Sequence, residues 1–450
     1  MMINGLRALG YRSKNVAFNN FTKKSAQLTT MLTSNSVRGV HSTSTANISS
    51  NSAVSHQKSG EKEIGSLSNI FKQIKISSDS NKEINFHQTE NQHVIFKLPE
   101  QANELSLLLK SNPSIQILDT MDLQIKDLIK LENPSLHPMS KELYDTKITE
   151  KLNGKSMQEY GNWVYYPWRN SLVHVLDKDD FVRVRTIRNV SKILPEEQQA
   201  LEKKTVLVIG LSVGQAAAMV LAMERSCGHL VLADFDHLDL SNMNRLRASV
   251  MDLGIMKGTL IKRAIAELDP YLKVTFLEQG LNKDNIATVL GSSPETKLID
   301  LVIEECDSFD TKVLVRKHCR KVQIPVVMET SDRGLLDIER FDLDKDYPIL
   351  HGLIQKELLE VDQFSPEQKR ALVVQFISIP LASKRGVESF FQVGKTLTSW
   401  PQLASEVQFG SSVAGMVTRM ILLGEKVPSQ RQYLDVKQQI ENYVKTEPKL

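Results

Sequence analysis

Between Lys204 and Thr330 the chain alternates short, almost purely apolar runs with stretches of helical period. The apolar runs are TVLVIG from Thr205, HLVLADFD from His229, KVTFLE from Lys273, LIDLVIEECD from Leu298 and PVVMET from Pro325. The run AAAMVLAMERSC and a segment from Lys257 to Leu268 read as helices between them. Strands apolar at successive positions are buried on both faces, and intervening helices supply the crossovers of a parallel sheet. The pattern predicts an α/β fold: a Rossmann-like, mostly parallel sheet with helices on both faces.

Outside this stretch the pattern changes. Residues 61–160 mix strand-like runs (His93 to Leu98, Ile115 to Leu118) with helical periodicity (Gln101 to Leu109, Met121 to Leu131), interrupted at Pro113, Pro134 and Pro138. They are expected to form a small α+β region. The aromatic segment NWVYYPW, Asn162 to Trp168, reads as core or domain contact and opens the unit expected over 161–345. Residues 346–450 read as mainly helical, with helices at Gln355–Glu360, Ser365–Gln375, Ser411–Leu423 and Asp435–Tyr443.

Charge separates one further segment. The chain holds 56 Lys and Arg against 53 Asp and Glu, yet residues 1–60 contain seven basic residues and no acid. Arg7, Arg12, Lys14, Lys23, Lys24 and Arg38 are spread among Ser, Thr and Asn, and Arg38-Gly-Val-His-Ser resembles a matrix-processing site. A positive, acid-free, hydroxyl-rich N-terminus suits a mitochondrial transit peptide, which must answer to a membrane potential and must not fold. The expectation is a removable leader over 1–60 and a matrix location, with a disordered tail on a cytoplasmic protein as the alternative. Without the leader the remaining residues are slightly acidic, so the basic total is no argument for nucleic-acid binding. No apolar run reaches 18 residues, so no membrane-spanning helix is expected.

The chemistry gathers behind the first apolar strand. Gly210-Leu-Ser212-Val-Gly214-Gln215 is a strand-to-helix turn of the kind that brings phosphate oxygens against backbone N–H groups at a helix start. Compared with G-x-G-x-x-G it has Ser212 at the second glycine and Gln215 at the third, with an additional Gly214. Ser212 either crowds a phosphate or hydrogen-bonds it, and Gln215 is long for a position that packs helix on strand. Asp234 ends the next strand, 24 residues after Gly210, close to the spacing at which an acid takes a ribose hydroxyl. This much equally suits NAD. Asp236, Asn242, Asn244 and Arg245 follow within a dozen residues, then Lys257 at a helix start and Asp307 after the strand LIDLVIEEC. An intact dinucleotide leaves those charges idle. Transfer at the α-phosphate of ATP uses them, because negative charge accumulates on the leaving pyrophosphate.

This order of a glycine loop, DxDxxxxSNxxR, a helix-borne Lys and a late strand-end Asp resembles the ThiF/MoeB/HesA superfamily, the adenylating fold of ubiquitin-activating enzymes. The resemblance covers roughly residues 180–335 and implies ATP and Mg²⁺ as cofactors. It implies that Asp234 holds the ribose, that Asn242, Asn244 and Arg245 face the phosphates, that Lys257 neutralises the triphosphate, and that Asp307 holds Mg²⁺ near the α-phosphate. It also implies a homodimer in which an Arg upstream of the loop reaches the partner's site; Arg188 in RTIRN is the best match and Arg185 the second. Taken singly, each of these residues also reads as a surface salt bridge.

Two features common in such proteins are missing. Zinc is not expected, because three scattered cysteines cannot supply two CxxC pairs. No cysteine follows Cys319, so the loop that carries a thioester-forming nucleophile in relatives has none here, and Cys306 and Cys319 read as packing residues. The expected activity is adenylation of a carboxylate with pyrophosphate release and no enzyme thioester. The acid is left open among a ubiquitin-like C-terminus, a tRNA-borne carboxylate and a small metabolite. A dehydratase resembling the one that acts on tRNA threonylcarbamoyladenosine, a nucleotide-binding scaffold and an NAD(P)-dependent oxidoreductase are the rivals. Asp332 and Arg333, after the strand PVVMET, are the expected approach to the substrate, or a turn held by local salt bridges.

Overall fold

The computed structural model describes residues 90–359, 364–377 and 381–446. The leader expected over residues 1–60 lies outside the described residues. The first sheet has four strands, β1 (Val94–Lys97), β2 (Gln116–Asp119), β3 (Asn162–Tyr166) and β4 (Ser171–Val175), in the order β1-β3-β4-β2. Helices Ala102–Ser111 and Met121–Glu132 follow β1 and β2, as the periodicity of 61–160 predicts. The aromatic segment is therefore strand β3 of this sheet, although the sequence reading places it at the start of the adenylating unit. Hydrophobic character alone does not say which sheet a strand joins. Trp163 stacks on His174 with ring centroids 4.1 Å apart. The neighbouring Tyr166 donates to the Ala266 carbonyl at 3.1 Å, and Trp168 and Arg169 both bond Glu267. One face of the segment is thus core and its end fastens the small sheet to the helix Lys257–Leu268.

The second sheet has seven strands: β5 (Thr205–Ile209), β6 (His229–Ala233), β7 (Lys273–Leu277), β8 (Leu301–Glu304), β9 (Val326–Thr330), β10 (Leu335–Glu339) and β11 (Gln430–Tyr433). Their order is β11-β10-β9-β8-β5-β6-β7. The pairs from β9 to β7 are parallel, and β10 and β11 are antiparallel additions at one edge. Alternate residues serve opposite faces. Val206 and Val208 pack with Ala217, Ala218 and Leu221 of the helix Gly214–Glu224, whereas Leu207 and Ile209 pack with Val313 and Cys319 of the helix Phe309–Val322. An unbroken apolar strand therefore has no exposed side, which is why its sequence lacks alternation.

The C-terminal hundred residues contain the expected helices, at Lys356–Leu359, Pro366–Ile377, Ala404–Leu422 and Val436–Thr446, but they also complete the large sheet through β11. The 19-residue helix Ala404–Leu422 lies along the helix Gly214–Glu224, with Ala414 and Val417 in the same core as Val206 and Val208. Arg333 belongs to this fastening. It bonds Asp435 at 2.7 Å, Gln438 at 2.7 Å and the Leu381 carbonyl, so of the two readings of that turn its arginine follows the structural one.

No described helix is long and apolar enough to cross a membrane.

Candidate active site

Strand β5 lies between β6 and β8, and the chain leaves β5 first towards β6 and β7, then returns to β8 on the other side. Segments leaving the ends of β5 and β8 diverge, and ligands of open α/β sheets bind in the crevice at such a switch point. Gly210 sits there with φ +82°, a left-handed backbone. A methyl on it would lie 2.7 Å from backbone atoms of Glu305 and Cys306. Gly210→Ala therefore combines left-handed strain of about 1–2 kcal/mol with a backbone overlap that neither strand can relieve. It is expected to lower the free energy of unfolding by about 2 kcal/mol or more, read from chemical denaturation.

Asp234 closes the loop from the other side. Its carboxylate accepts the Leu211 N–H at 2.6 Å and the Asp236 N–H at 2.7 Å, which holds the turn in shape. Burial pushes this carboxyl up, and the two N–H donors and Lys257 oppose the shift. Each oxygen retains a lone pair that can accept a ribose hydroxyl. Asp236 accepts a 2.8 Å ion pair from Lys257, whose side chain is 8% exposed while that of Asp236 is 54% exposed. The Lys257 N–H also bonds the Asp236 carbonyl at 2.9 Å, so the helix start and the acidic loop move as one piece.

The two departures from the glycine pattern have defined partners. Ser212 accepts a hydrogen bond from Arg245 Nη2 at 2.9 Å. Gln215 is buried, and its side-chain oxygen accepts the Arg247 N–H at 3.2 Å. Gln215 therefore pins the segment that carries Arg245 rather than loosening the packing. Gly214, beside Val208, is the small residue at the helix start. Arg245 also donates to the Asn244 side chain at 2.9 Å, while its Nε is buried without a hydrogen-bond partner among the described residues.

The asparagines are engaged locally. Asn242 is buried and accepts the Asp239 N–H at 3.0 Å as the cap of a short turn. Asn244 donates to the Gln402 carbonyl at 2.7 Å, which joins the loop to the segment before the helix Ala404–Leu422. Their side chains set the shape of the loop, and each amide keeps N–H capacity beyond the bond named.

Asp307 is exposed, three residues beyond the end of β8, with a favourable charge interaction with Arg245. Gly210, Ser212, Gly214, Asp234, Asp236, Arg245, Lys257 and Asp307 thus gather around one loop. Arg188 does not join them within one chain. It is exposed in the turn Ile187–Asn189, and its neighbour Asn189 bonds the Glu224 carbonyl at the far end of the loop helix. Eleven helical residues span about 15 Å. Arg185 is a structural residue at that far end, bonded to Asp269 at 2.9 Å and to two carbonyls of the helix terminus.

Beside the loop, past the ends of β8 and β9, is a cleft of about 180 Å³. Asp307, Asp332, Glu305, Glu329 and Ser331 contribute its polar lining, and Phe309, Phe376, Trp400 and Tyr433 its aromatic walls. The sequence reading singled out neither Glu305 nor Glu329. The signal was present: carboxylates in the otherwise apolar runs LVIEEC and PVVMET are anomalous in strands buried on both faces. Glu304, also buried, accounts for itself by pairing with Lys312 at 3.1 Å and Arg316 at 2.5 Å. Burial pushes its carboxyl up, but those two charges outweigh burial and hold it down to about 2. Among the described residues neither Glu305 nor Glu329 forms an ion pair, although the charge of Lys312 favours ionised Glu305. Burial and then the charge of Glu329 push Glu305 well up, and burial followed by the charge of Glu406 pushes Glu329 up to about 8.

A carboxyl raised from 4.5 to about 8 makes the folded state hold more protons than the unfolded state between those values. Stability gained from protonation is complete below pH 4.5 and is lost as pH rises towards 8. Glu329→Gln removes the titration. The variant should match the wild type near pH 4.5 and melt at a higher temperature above pH 8, as read by thermal unfolding across that range.

Residues 184–334 match the ThiF family. An uncharacterised protein of Mycobacterium tuberculosis is 37% identical over 334 residues, 73% of this chain and 43% of that protein. The tRNA threonylcarbamoyladenosine dehydratase of Bacillus subtilis is 30% identical over 158 residues, 35% of this chain and 60% of that enzyme. The crystal structure of the E. coli tRNA N6-threonylcarbamoyladenosine dehydratase in complex with ATP covers 55% of this chain and 97% of its own, with a TM-score of 0.39 and 19% identity. The chain spans less than two thirds of the length of these first two relatives. With the loop, the acid and the lysine in place on the parallel sheet, residues 184–334 of this chain are a ThiF-family domain.

Proposed function

We propose that this protein uses ATP and Mg²⁺ to adenylate a substrate carboxylate. The carboxylate oxygen attacks the α-phosphorus, the bond to the β-phosphate oxygen breaks, and pyrophosphate leaves an acyl-adenylate behind. The observation that carries this reading is Arg245, held on Ser212 beside the nucleotide loop with a buried Nε that has no acceptor among the described residues. A buried guanidinium N–H left without a partner is costly, and a phosphate oxygen at the helix start Gly214 supplies the acceptor. An NAD reading gives Arg245, Lys257 and Asp307 no task.

The residues present fit the nucleotide. Gly210 gives the loop a turn with no side chain beside the phosphates, Asp234 takes the ribose, and Lys257 exchanges its exposed partner Asp236 for the triphosphate. Asp307 would hold Mg²⁺, which supplies positive charge to the phosphates. Cys306 and Cys319 do not offer a thioester route: burial pushes both thiols up, away from the reactive thiolate. The acyl-adenylate is therefore consumed by an external nucleophile. Arg188 would act only in the partner's site of a homodimer, and a mitochondrial matrix location belongs to the same proposal.

The test is exchange of labelled pyrophosphate into ATP, with purified protein, Mg²⁺ and a panel of acids. The panel includes a tRNA-borne carboxylate, as the name of the Bacillus relative suggests, a ubiquitin-like C-terminus and small metabolites. Acid-dependent exchange that disappears in Asp307→Ala supports the proposal. Tight ATP binding without exchange for any acid favours the scaffold, and preference for NAD over ATP overturns the adenylation reading.

A further inference from the structure

The cleft beside the loop has a floor that nothing in the nucleotide reading uses. Neither carboxyl oxygen of Glu329 nor the hydroxyl of Ser331 has a hydrogen-bond partner among the described residues, although Glu329 is 4% and Ser331 6% exposed. The space for the Glu329 carboxyl is kept open by Gly410 of the helix Ala404–Leu422, where a methyl would stand 2.1 Å from a Glu329 oxygen. Glu305 stands beside it and accepts the Glu329 backbone N–H at 3.0 Å. The nearest ammonium in the lining, Lys312, is committed to Glu304 through both carboxylate oxygens at 3.1 Å.

Buried acceptors without donors are rare, because each one forfeits the hydrogen bonds it made in water. Here three of them belong to two residues that line one cleft, together with aromatic walls and further carboxylates at Asp307 and Asp332. The missing component is a compact cation rich in N–H donors. Three acceptors match the three N–H groups of an ammonium, and Trp, Tyr and Phe faces favour a cation near them. A divalent metal fits less well, since no group of three or more His, Cys, Asp or Glu among the described residues is placed to hold one.

We propose that Glu329, Ser331 and Glu305 form a subsite for a protonated primary amine, carried by the acid that is activated or by the nucleophile that receives its acyl group. The entering ammonium supplies the positive charge this carboxyl pair lacks and the donors its oxygens lack. Asp307, at the mouth of the same cleft, places the amine next to the reacting phosphate. The binding step stands by itself; only the role of the amine in turnover rests on the adenylation reading.

The full-length chain is titrated with n-propylamine and, at matched ionic strength, with n-propanol, following tryptophan fluorescence and the melting temperature. The amine is expected to bind and the alcohol not, and Glu329→Gln is expected to weaken the amine at least tenfold while leaving ATP affinity unchanged. Because Glu329→Gln removes a buried titrating group, its unchanged or raised melting temperature verifies that it folds. Equal effects of amine and alcohol, or wild-type amine affinity in folded Glu329→Gln, overturn the subsite. In the exchange assay, an acid that loses activity on N-acetylation places the amine on the activated acid. Stimulation of AMP release by n-propylamine places it on the acceptor. Exchange without amine binding overturns the subsite and leaves adenylation standing; amine binding without ATP binding does the reverse.

Discussion

Lys257→Ala is expected to lower acid-dependent pyrophosphate exchange by about 10²–10³ while the protein remains folded. Its ammonium sits at a helix start beside the nucleotide loop, in a largely buried position where a fixed charge acts on the phosphates with little screening. Removing one such preorganised group from a site where charge develops raises the barrier by about 2.7–4 kcal/mol. Stability should change little, because the abandoned partner, Asp236, is more than half exposed and can be hydrated. The reciprocal change, Asp236→Ala, leaves a buried ammonium without its anion and should therefore destabilise the apo protein more than Lys257→Ala does. Bound ATP should restore that loss, which separates an electrostatic role from a merely structural one. Denaturation curves with and without ATP, beside the exchange rates, check all three statements.

The largest loss of stability is expected on the other face of the sheet. Arg316, on the helix Phe309–Val322, is fully buried and joins Glu304 of β8 to Glu339 of β10, both fully buried. Glu339 in turn accepts the Leu350 N–H at 2.7 Å, and Asp337 nearby is paired with His351 and Arg431. Arg316→Ala strands Glu339 in the core without a counter-ion and should lower the unfolding free energy by about 3–5 kcal/mol. The double variant Arg316→Met/Glu339→Gln leaves Glu304 with Lys312 and no buried orphan charge, so it should recover most of that loss. Urea denaturation of the two variants measures the difference. The network bears on function because the helix Phe309–Val322 begins two residues after Asp307. It fixes β8, β10 and that helix together, and the loop carrying Asp307 hangs between them.

The parts of the site legible in the sequence are those whose geometry is local. Gly210 at the end of β5, Asp234 at the end of β6 and Lys257 at a helix start follow from strand period and turn residues within about fifty positions. The remainder depends on partners far along the chain. Ser212 and Gln215 look like defects beside a glycine pattern until Arg245 and the Arg247 backbone arrive as their partners. The tie from the Asn244 amide to the Gln402 carbonyl, 158 residues later, is equally invisible in the local pattern. In the same way β11 belongs to the seven-stranded sheet and the helix Ala404–Leu422 packs on it, which no local pattern announces. Glu329 is the instructive case. A lone acid in an apolar strand is visible as an anomaly, but the room for its unpartnered carboxyl depends on Gly410, 81 residues away.

Adenylation has a direct chemical signature. An acid that supports exchange is prepared with ¹⁸O in its carboxylate and taken through a full turnover, and the AMP is analysed by mass. Attack of the carboxylate on the α-phosphorus predicts AMP carrying one ¹⁸O in its phosphate, from Arg245-intact enzyme and not from Asp307→Ala. AMP released at the wild-type rate without the label would contradict the account.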